Sequence, residues 1–133
     1  MATIFTKIIK GEIPCYKIAE NDKFFAFLDI NPITKGHTLV IPKLAELEED
    51  YIFKLDEETY NGLMAFTRKV AIAIEKAVPC KRIGVAVMGM EVPHVHVHLI
   101  PINKESDMII SNPKLQLPKE EMEEIAKKIA ANF

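Results

Sequence analysis

An α+β domain built on one five-stranded antiparallel sheet is predicted by three observations. Five short segments rich in strand-forming residues lie within the first 101 positions, at 13–20, 23–30, 37–42, 82–88 and 94–101. The three early ones are joined by connections too short for a parallel crossover. A long stretch with helical periodicity separates them from the last two, and shorter helical patterns open and close the chain. With 133 residues, 49% of them hydrophobic and 27% charged, the chain reads as a single domain over 1–133 that can bury a core without staples.

Thr3 is placed to cap a short helix from Ile4 to Lys10 that Gly11 ends. The run Phe24-Phe25-Ala26-Phe27-Leu28 marks the second strand, and Asn31-Pro32-Ile33-Thr34-Lys35-Gly36 is punctuated as a loop. A long helix is expected from about Asp56 to Val78, with Leu63, Phe66, Val70, Ile74 and Ala77 forming its buried stripe and Pro79 stopping it. Gly62 weakens its first turns on propensity alone. The strand at 82–88 is expected to pair with the one at 94–101 through the tight stretch Gly89–Pro93. Beyond it, 103–118 shows little period. Pro118 then opens a helix to about Ala131 with Met122, Ile125 and Ile129 inward, and the pairs Glu123–Lys127 and Glu124–Lys128 on its wet face.

Net charge −2 gives no electrostatic case for a nucleic acid polymer as partner. Cys15 and Cys80 lie far apart without a CxxC pattern and read as thiols in a reducing compartment rather than a disulfide. The opening MATIFTKIIKGE is broken by lysines and is no secretory signal, and no stretch has membrane-spanning length, so a cytoplasmic protein with no membrane partner is expected.

Chemistry is concentrated at His94-Val95-His96-Val97-His98, which holds three of the four histidines. On a strand, alternate side chains face opposite ways, so the imidazoles form one row while Val95, Val97 and Leu99 form an apolar row for the core. The row admits three readings from the residues themselves. Histidines on a half-exposed strand can be without a role. Two of them can hold a metal, with Asp29, Glu91 or His37 completing the set; three ligands from one strand span about 13 Å, too far for one ion. Or a central neutral His96 can be a nucleophile toward phosphorus, with its neighbours stabilising the phosphoryl oxygens.

The segment His94-Val95-His96-Val97-His98-Leu99-Ile100-Pro101 resembles the signature of the histidine triad (HIT) family. Two further stretches carry the resemblance: Thr3 through Pro14, similar to the family's opening helix and turn, and Phe27-Leu28-Asp29-Ile30-Asn31-Pro32 with Gly36-His37-Thr38-Leu39-Val40-Ile41-Pro42-Lys43, similar to its central hairpin. The likeness covers 3–101 and leaves 102–133 as an extension without a motif. It implies a HIT-like fold, a homodimer, and action on a nucleoside monophosphate conjugate, a phosphoramidate or a dinucleoside polyphosphate, through a nucleotidyl-histidine intermediate. By the same resemblance His96 is the nucleophile, His94 and His98 flank it on phosphate oxygens, and His37 supports the row. Asp29 holds ribose hydroxyls, and Ile4, Phe5, Phe27, Ile30 and Leu39 wall a purine base. No cofactor or bound metal is implied; Ala2 and Thr6 stand where some zinc-binding members carry cysteines.

The chain departs from the family just before the row. Met90 stands where many members place a glutamine amide, and a methionine offers no N–H donor. An asparagine expected on the preceding strand is replaced within 85–88. Glu91 is then a nucleotide-site residue that accepts or relays a proton. Two rival functions stay open: a nucleotide-binding or interaction module with little catalysis, and a zinc-dependent hydrolase.

Overall fold

The computed structural model describes residues 3–44 and 49–133. In chain order these form helix α1 (Ile4–Ile9), strands β1 (Lys17–Glu20), β2 (Phe24–Leu28) and β3 (Thr38–Pro42), helix α2 (Glu57–Ala77), strands β4 (Arg82–Ala86) and β5 (Val97–Ile102), and helix α3 (Lys119–Ala131). Single 3-10 turns lie at Ile52–Lys54 and Glu105–Met108. The strands make one sheet in the order β1-β2-β3-β5-β4, with every neighbouring pair antiparallel. The chain therefore leaves the sheet after β3, crosses in α2, re-enters at the far edge as β4, and folds back to place β5 beside β3. That return brings the histidine segment next to the strand that follows His37.

Register decides which side chains share a face. Leu39 opposes both Phe27 and His98 across the ladders, and Ile41 opposes Phe25. Because strand side chains alternate, His37, Leu39, Ile41, Phe25, Phe27 and His98 all point to one side. There Phe5 and Ile8 of α1 close over them in a small apolar cluster. The opposite face carries Phe24, Ala26, Leu28, Val40, Val97 and Leu99 into the main core, against α2 and α3. Burial on both faces is why β2 and β3 are continuously hydrophobic rather than alternating.

The predicted stripe of α2 is buried throughout, from Leu63 to Ala77. Gly62 does not interrupt the helix. A Cβ there would lie 2.8 Å from Cζ of Phe24, so the glycine lets α2 lie close on β2. Asp56 stands at the N-cap with extended backbone but its side chain caps nothing. Thr3 does cap α1, its Oγ1 accepting from the Thr6 N–H at 3.2 Å, and Gly11 ends that helix with φ +79°. Met122, Ala126 and Ile129 bury the inner side of α3, with Ile125 packed partly against them. The two expected pairs on its outer side are not formed; Glu123 meets Lys119 at 3.8 Å, and Glu121 meets Lys35 at 3.0 Å.

Several boundaries differ from the sequence reading; β2, for one, spans Phe24–Leu28 rather than 23–30. Residues 13–16 lie outside β1, and β4 ends at Ala86. The histidine strand begins at Val97, not His94. Pro93 lies inside a turn closed by the His94 N–H on the Val92 carbonyl at 2.8 Å, and the Val95 N–H goes to the Glu49 carbonyl at 2.8 Å rather than into a ladder. The link from β4 to β5 is thus longer than a tight hairpin. The alternation nevertheless survives: Val95, Val97 and Leu99 are fully buried in the main core. Both cysteines are free thiols. Among the described residues no helix is long and apolar enough to cross a membrane.

Candidate active site

Most of the imidazole side of the row is shielded from water. His94 is 1% exposed, His96 6% and His37 2%, while His98 is partly open. The ring of Phe5 stands edge-on to His94 and His96, with centroids 5.7 and 5.0 Å away. Burying four imidazoles is costly unless each nitrogen finds a partner, and their partners set the protonation of each ring.

The Nδ1 of His37 is met at 3.1 Å by the Ile33 backbone N–H, which can only donate. His37 therefore carries its proton on Nε2 and donates it to Nδ1 of His98 at 3.0 Å. His98, accepting at Nδ1, holds its own proton on Nε2. A separate chain orders the other two rings. The Nδ1 of His96 lies 2.7 Å from the His94 carbonyl, which can only accept, so His96 is protonated at Nδ1 and its Nε2 keeps a lone pair. His94 donates from Nε2 to the Pro42 carbonyl at 2.8 Å and accepts at Nδ1 from the Thr3 hydroxyl at 3.3 Å. Both nitrogens of His94 are thus turned on protein groups. The family resemblance gives His94 a place on phosphate oxygens; here its ring bonds to Thr3 and Pro42, and its carbonyl holds His96.

Electrostatics agree with a neutral His37–His98 pair. Burial, then the charge of His98, then Lys114, push His37 down to about 3. Burial, then His96, then Lys114, push His98 down to about 4. Both are neutral at neutral pH, as their shared hydrogen bond requires. Asp29 follows β2 and turns Oδ1 onto the Asn31 N–H at 2.8 Å, while its Oδ2 lies 3.7 Å from Nε2 of His37. Burial raises its carboxyl above the usual range, partly opposed by the Asn31 bond and by His96 and Lys114; Glu91 acts on it in the raising direction.

The fold thus gathers His37, His96, His98 and Asp29 beside Phe5, Phe27 and Leu39. Phe5 and Phe27 pack edge to face at 5.6 Å. Ile4 and Ile30 are exposed side chains, at 46% and 65%. Glu91 and Met90 lie on the exposed link before the row, and Met90 is 88% exposed. Gly89 in that link has φ +69°, and a Cβ would come within 2.6 Å of the Asp50 carbonyl oxygen, so the loop is pressed against the 49–50 backbone. A hollow of about 650 Å³ lies apart from the histidines, between 14–17, Ile30 and α3. The sequence assigns no role to the Ile33 N–H or the Pro42 carbonyl, and none to Thr3 toward a histidine.

Ligand atoms of Asp29, His37 and His98 lie within 4.8 Å of one another, a set that could hold a metal ion. It takes one member of the row, not the neighbouring pair considered from spacing, and Glu91 is not part of it. His37 and His98 already satisfy each other there, so an ion would have to displace their bond. Thr6 is a cap neighbour and no ligand, and Ala2 lies outside the described residues.

Comparisons with known proteins find relatives over most of the chain. The HIT domain family model matches residues 10–105. An adenosine 5'-monophosphoramidase, hnt1 of Schizosaccharomyces pombe, is 37% identical over 138 residues, covering 100% of this chain and 99% of its own. An adenylylsulfatase, HINT3 of Arabidopsis thaliana, is 35% identical over 121 residues, covering 85% of this chain and 58% of its own. The crystal structure of a Hit-like protein involved in cell-cycle regulation from Bartonella henselae superposes with a TM-score of 0.81 at 34% identity, over 98% of this chain and 96% of that one.

Proposed function

The chain belongs to the HIT domain family, and from that premise we propose that it hydrolyses or transfers the nucleotidyl group of nucleoside monophosphate conjugates through His96. The observation that carries this reading is the 2.7 Å bond from Nδ1 of His96 to the His94 carbonyl, which leaves a lone pair on Nε2. A neutral imidazole held in that tautomer is a nucleophile without needing a base. The names of the yeast and plant relatives favour adenosine 5'-phosphoramidates and adenylyl sulfate as first substrates to try.

In the reaction proposed, Nε2 of His96 forms a bond to phosphorus as the bond to the leaving group breaks. The leaving group departs with that electron pair and takes up a proton. Water then attacks the nucleotidyl-histidine, the N–P bond breaks, and the nucleoside monophosphate is released as His96 regains its lone pair. His98, holding its proton on Nε2, donates to a phosphoryl oxygen. His37 positions His98, and His94 positions His96 through its carbonyl. Asp29 accepts from ribose hydroxyls, and Phe5, Phe27 and Leu39 wall the base, with Ile4 and Ile30 at its open rim. Glu91 serves as a relay for the leaving group's proton; Glu91→Gln should slow turnover far more than binding, and equal effects on both would remove it from this role.

Protein quenched in acid-free denaturant during turnover should carry one nucleotide on His96. Full turnover by His96→Ala, with no adduct, would sink the mechanism and favour the second reading, a nucleotide-binding module with little catalysis. That reading is motivated by Met90, which offers no amide where a phosphate is expected. The Asp29–His37–His98 set motivates a zinc-dependent hydrolase; activity that survives chelators discards it. We further place the protein in a reducing cytoplasm, where Cys15 and Cys80 stay thiols, each pushed above its ordinary range by burial. It would act there as a homodimer that joins β4 edges.

A further inference from the structure

The carbonyl that sets the tautomer of His96 belongs to a residue outside the sheet. Strand β5 begins only at Val97, and the amides of His94 and Val95 go to the Val92 and Glu49 carbonyls rather than into a ladder. The ring of His94 supplies the anchor that its backbone lacks. It is 1% exposed and is held from two sides, by the Pro42 carbonyl on Nε2 at 2.8 Å and by the Thr3 hydroxyl on Nδ1 at 3.3 Å. Turning the ring breaks one bond or the other. Pro42 ends β3 and is fixed by the sheet; Thr3, at the start of α1, is the second point of attachment.

Chemistry fixes the direction of each bond in this chain. The Pro42 carbonyl can only accept, so His94 carries its proton on Nε2, and its Nδ1 accepts from Thr3. With that proton given to His94, the Thr3 oxygen accepts from the Thr6 N–H and from the Thr6 hydroxyl, each at 3.2 Å. Thr3 is itself buried, at 8% exposure, so losing its hydroxyl takes a donor from a nitrogen that water reaches poorly. The same short helix carries Phe5, whose ring stands on both His94 and His96. We propose that Thr3 is a positioning residue for the nucleophile: through Nδ1 of His94 its hydroxyl steadies the carbonyl that keeps Nε2 of His96 unprotonated. One side chain then caps α1, the helix that walls the base, and ties that helix to the ring that reacts. The effect on rate rests on the proposed nucleotidyl chemistry; the effect on the His96 tautomer does not.

Three variants of the full chain separate this role from capping. Thr3→Val keeps the shape and loses the hydroxyl. Thr3→Gly also loses it, but glycine is accepted at a helix N-cap. Thr3→Ser keeps both functions. With adenosine 5'-phosphoramidate, nucleotide should form on His96 about tenfold more slowly in Thr3→Val and Thr3→Gly, the loss of one buried hydrogen bond. Affinity for adenosine 5'-monophosphate should hold, and Thr3→Ser should restore the rate. Ring nitrogen resonances of the free proteins should show His96 protonated at Nδ1 alone in wild type and Thr3→Ser, and as a mixture of tautomers in the other two. A wild-type rate in Thr3→Gly, which a cap role alone predicts, overturns the proposal. So does a slower rate with unchanged His96 resonances, an equal loss of affinity, or failure of Thr3→Ser to restore the rate. If wild type itself never carries nucleotide, the covalent mechanism falls and the resonances alone decide: a tautomer mixture in Thr3→Val and Thr3→Gly upholds the role of Thr3, and unchanged signals overturn it.

Discussion

One carbonyl does much of the work at the level of single residues. Because the His94 oxygen can only accept, it fixes the tautomer of His96 and leaves Nε2 unprotonated. His96→Ala removes the proposed nucleophile and should lower kcat by a factor on the order of 10³ or more while leaving nucleotide affinity within a few-fold. Single-turnover assays beside equilibrium binding would separate the two, and a parallel loss of both would argue for a binding role instead. A second expectation concerns acid. His37 and His98 titrate near 3 and 4 in the folded protein, below the ordinary 6.5. Between those values the unfolded chain binds more protons than the folded one, so stability rises with pH there. Their contribution is complete above about 6.5 and is lost as pH falls toward 4, with a slope of up to about 1.4 kcal/mol per pH unit for each fully buried imidazole. The more open His98 contributes less, and the raised Asp29 opposes the trend at its lower end. Urea midpoints should fall from pH 6.5 to 4.5 and fall less steeply in His37→Gln; a flat profile in wild type would contradict the buried neutral pair.

Elements show where the sequence was legible and where it was not. The strand and helix order could be read because α2 repeats Leu63, Phe66, Val70 and Ile74 at helical spacing, and because Val95, Val97 and Leu99 alternate with the histidines. Alternation, however, reports which way side chains face, not whether the backbone is paired. His94 and Val95 keep the alternation while their amides bond to the Val92 and Glu49 carbonyls. The relay from His37 to His98 was foreshadowed only by the family likeness, since 61 positions separate the two rings. The backbone groups that set the tautomers leave no side-chain signature at all. Gly62 illustrates the same limit: propensity counts it as a flaw, and the close approach of Phe24 makes it a requirement. Gly62→Ala should gain up to about 1 kcal/mol in helix propensity yet lose about 1–3 kcal/mol to overpacking against the Phe24 ring. A lower urea midpoint is therefore expected, and a higher one would show that Phe24 can step aside.

For the whole molecule, the asymmetry of the sheet is the guide. Its two outer strands are treated differently: α3 packs against β1, whereas β4 carries an exposed Val85, 53% open, with Met88 just beyond it at 42%. An outer strand with apolar side chains and unpaired backbone groups invites a second chain, and soluble proteins ordinarily cover or charge such an edge. A two-fold pairing of β4 with its copy would satisfy both needs at once, because an isologous contact sets each Val85 near the same patch on its partner. The alternative open edge at β1 lacks that combination, since Lys17 and Glu20 occupy its exposed positions and pair with each other at 3.3 Å. Val85→Lys puts like charges on both sides of the proposed contact and should convert the proposed dimer to a monomer, read by sedimentation at micromolar concentration. Its secondary structure should be retained, because Val85 lies outside the main core. A wild type that sediments as a monomer, or a Val85→Lys protein that remains dimeric, would move the interface away from β4; a Lys17→Ala, Glu20→Ala protein serves as the control, since changes at the opposite edge should leave the association unaltered.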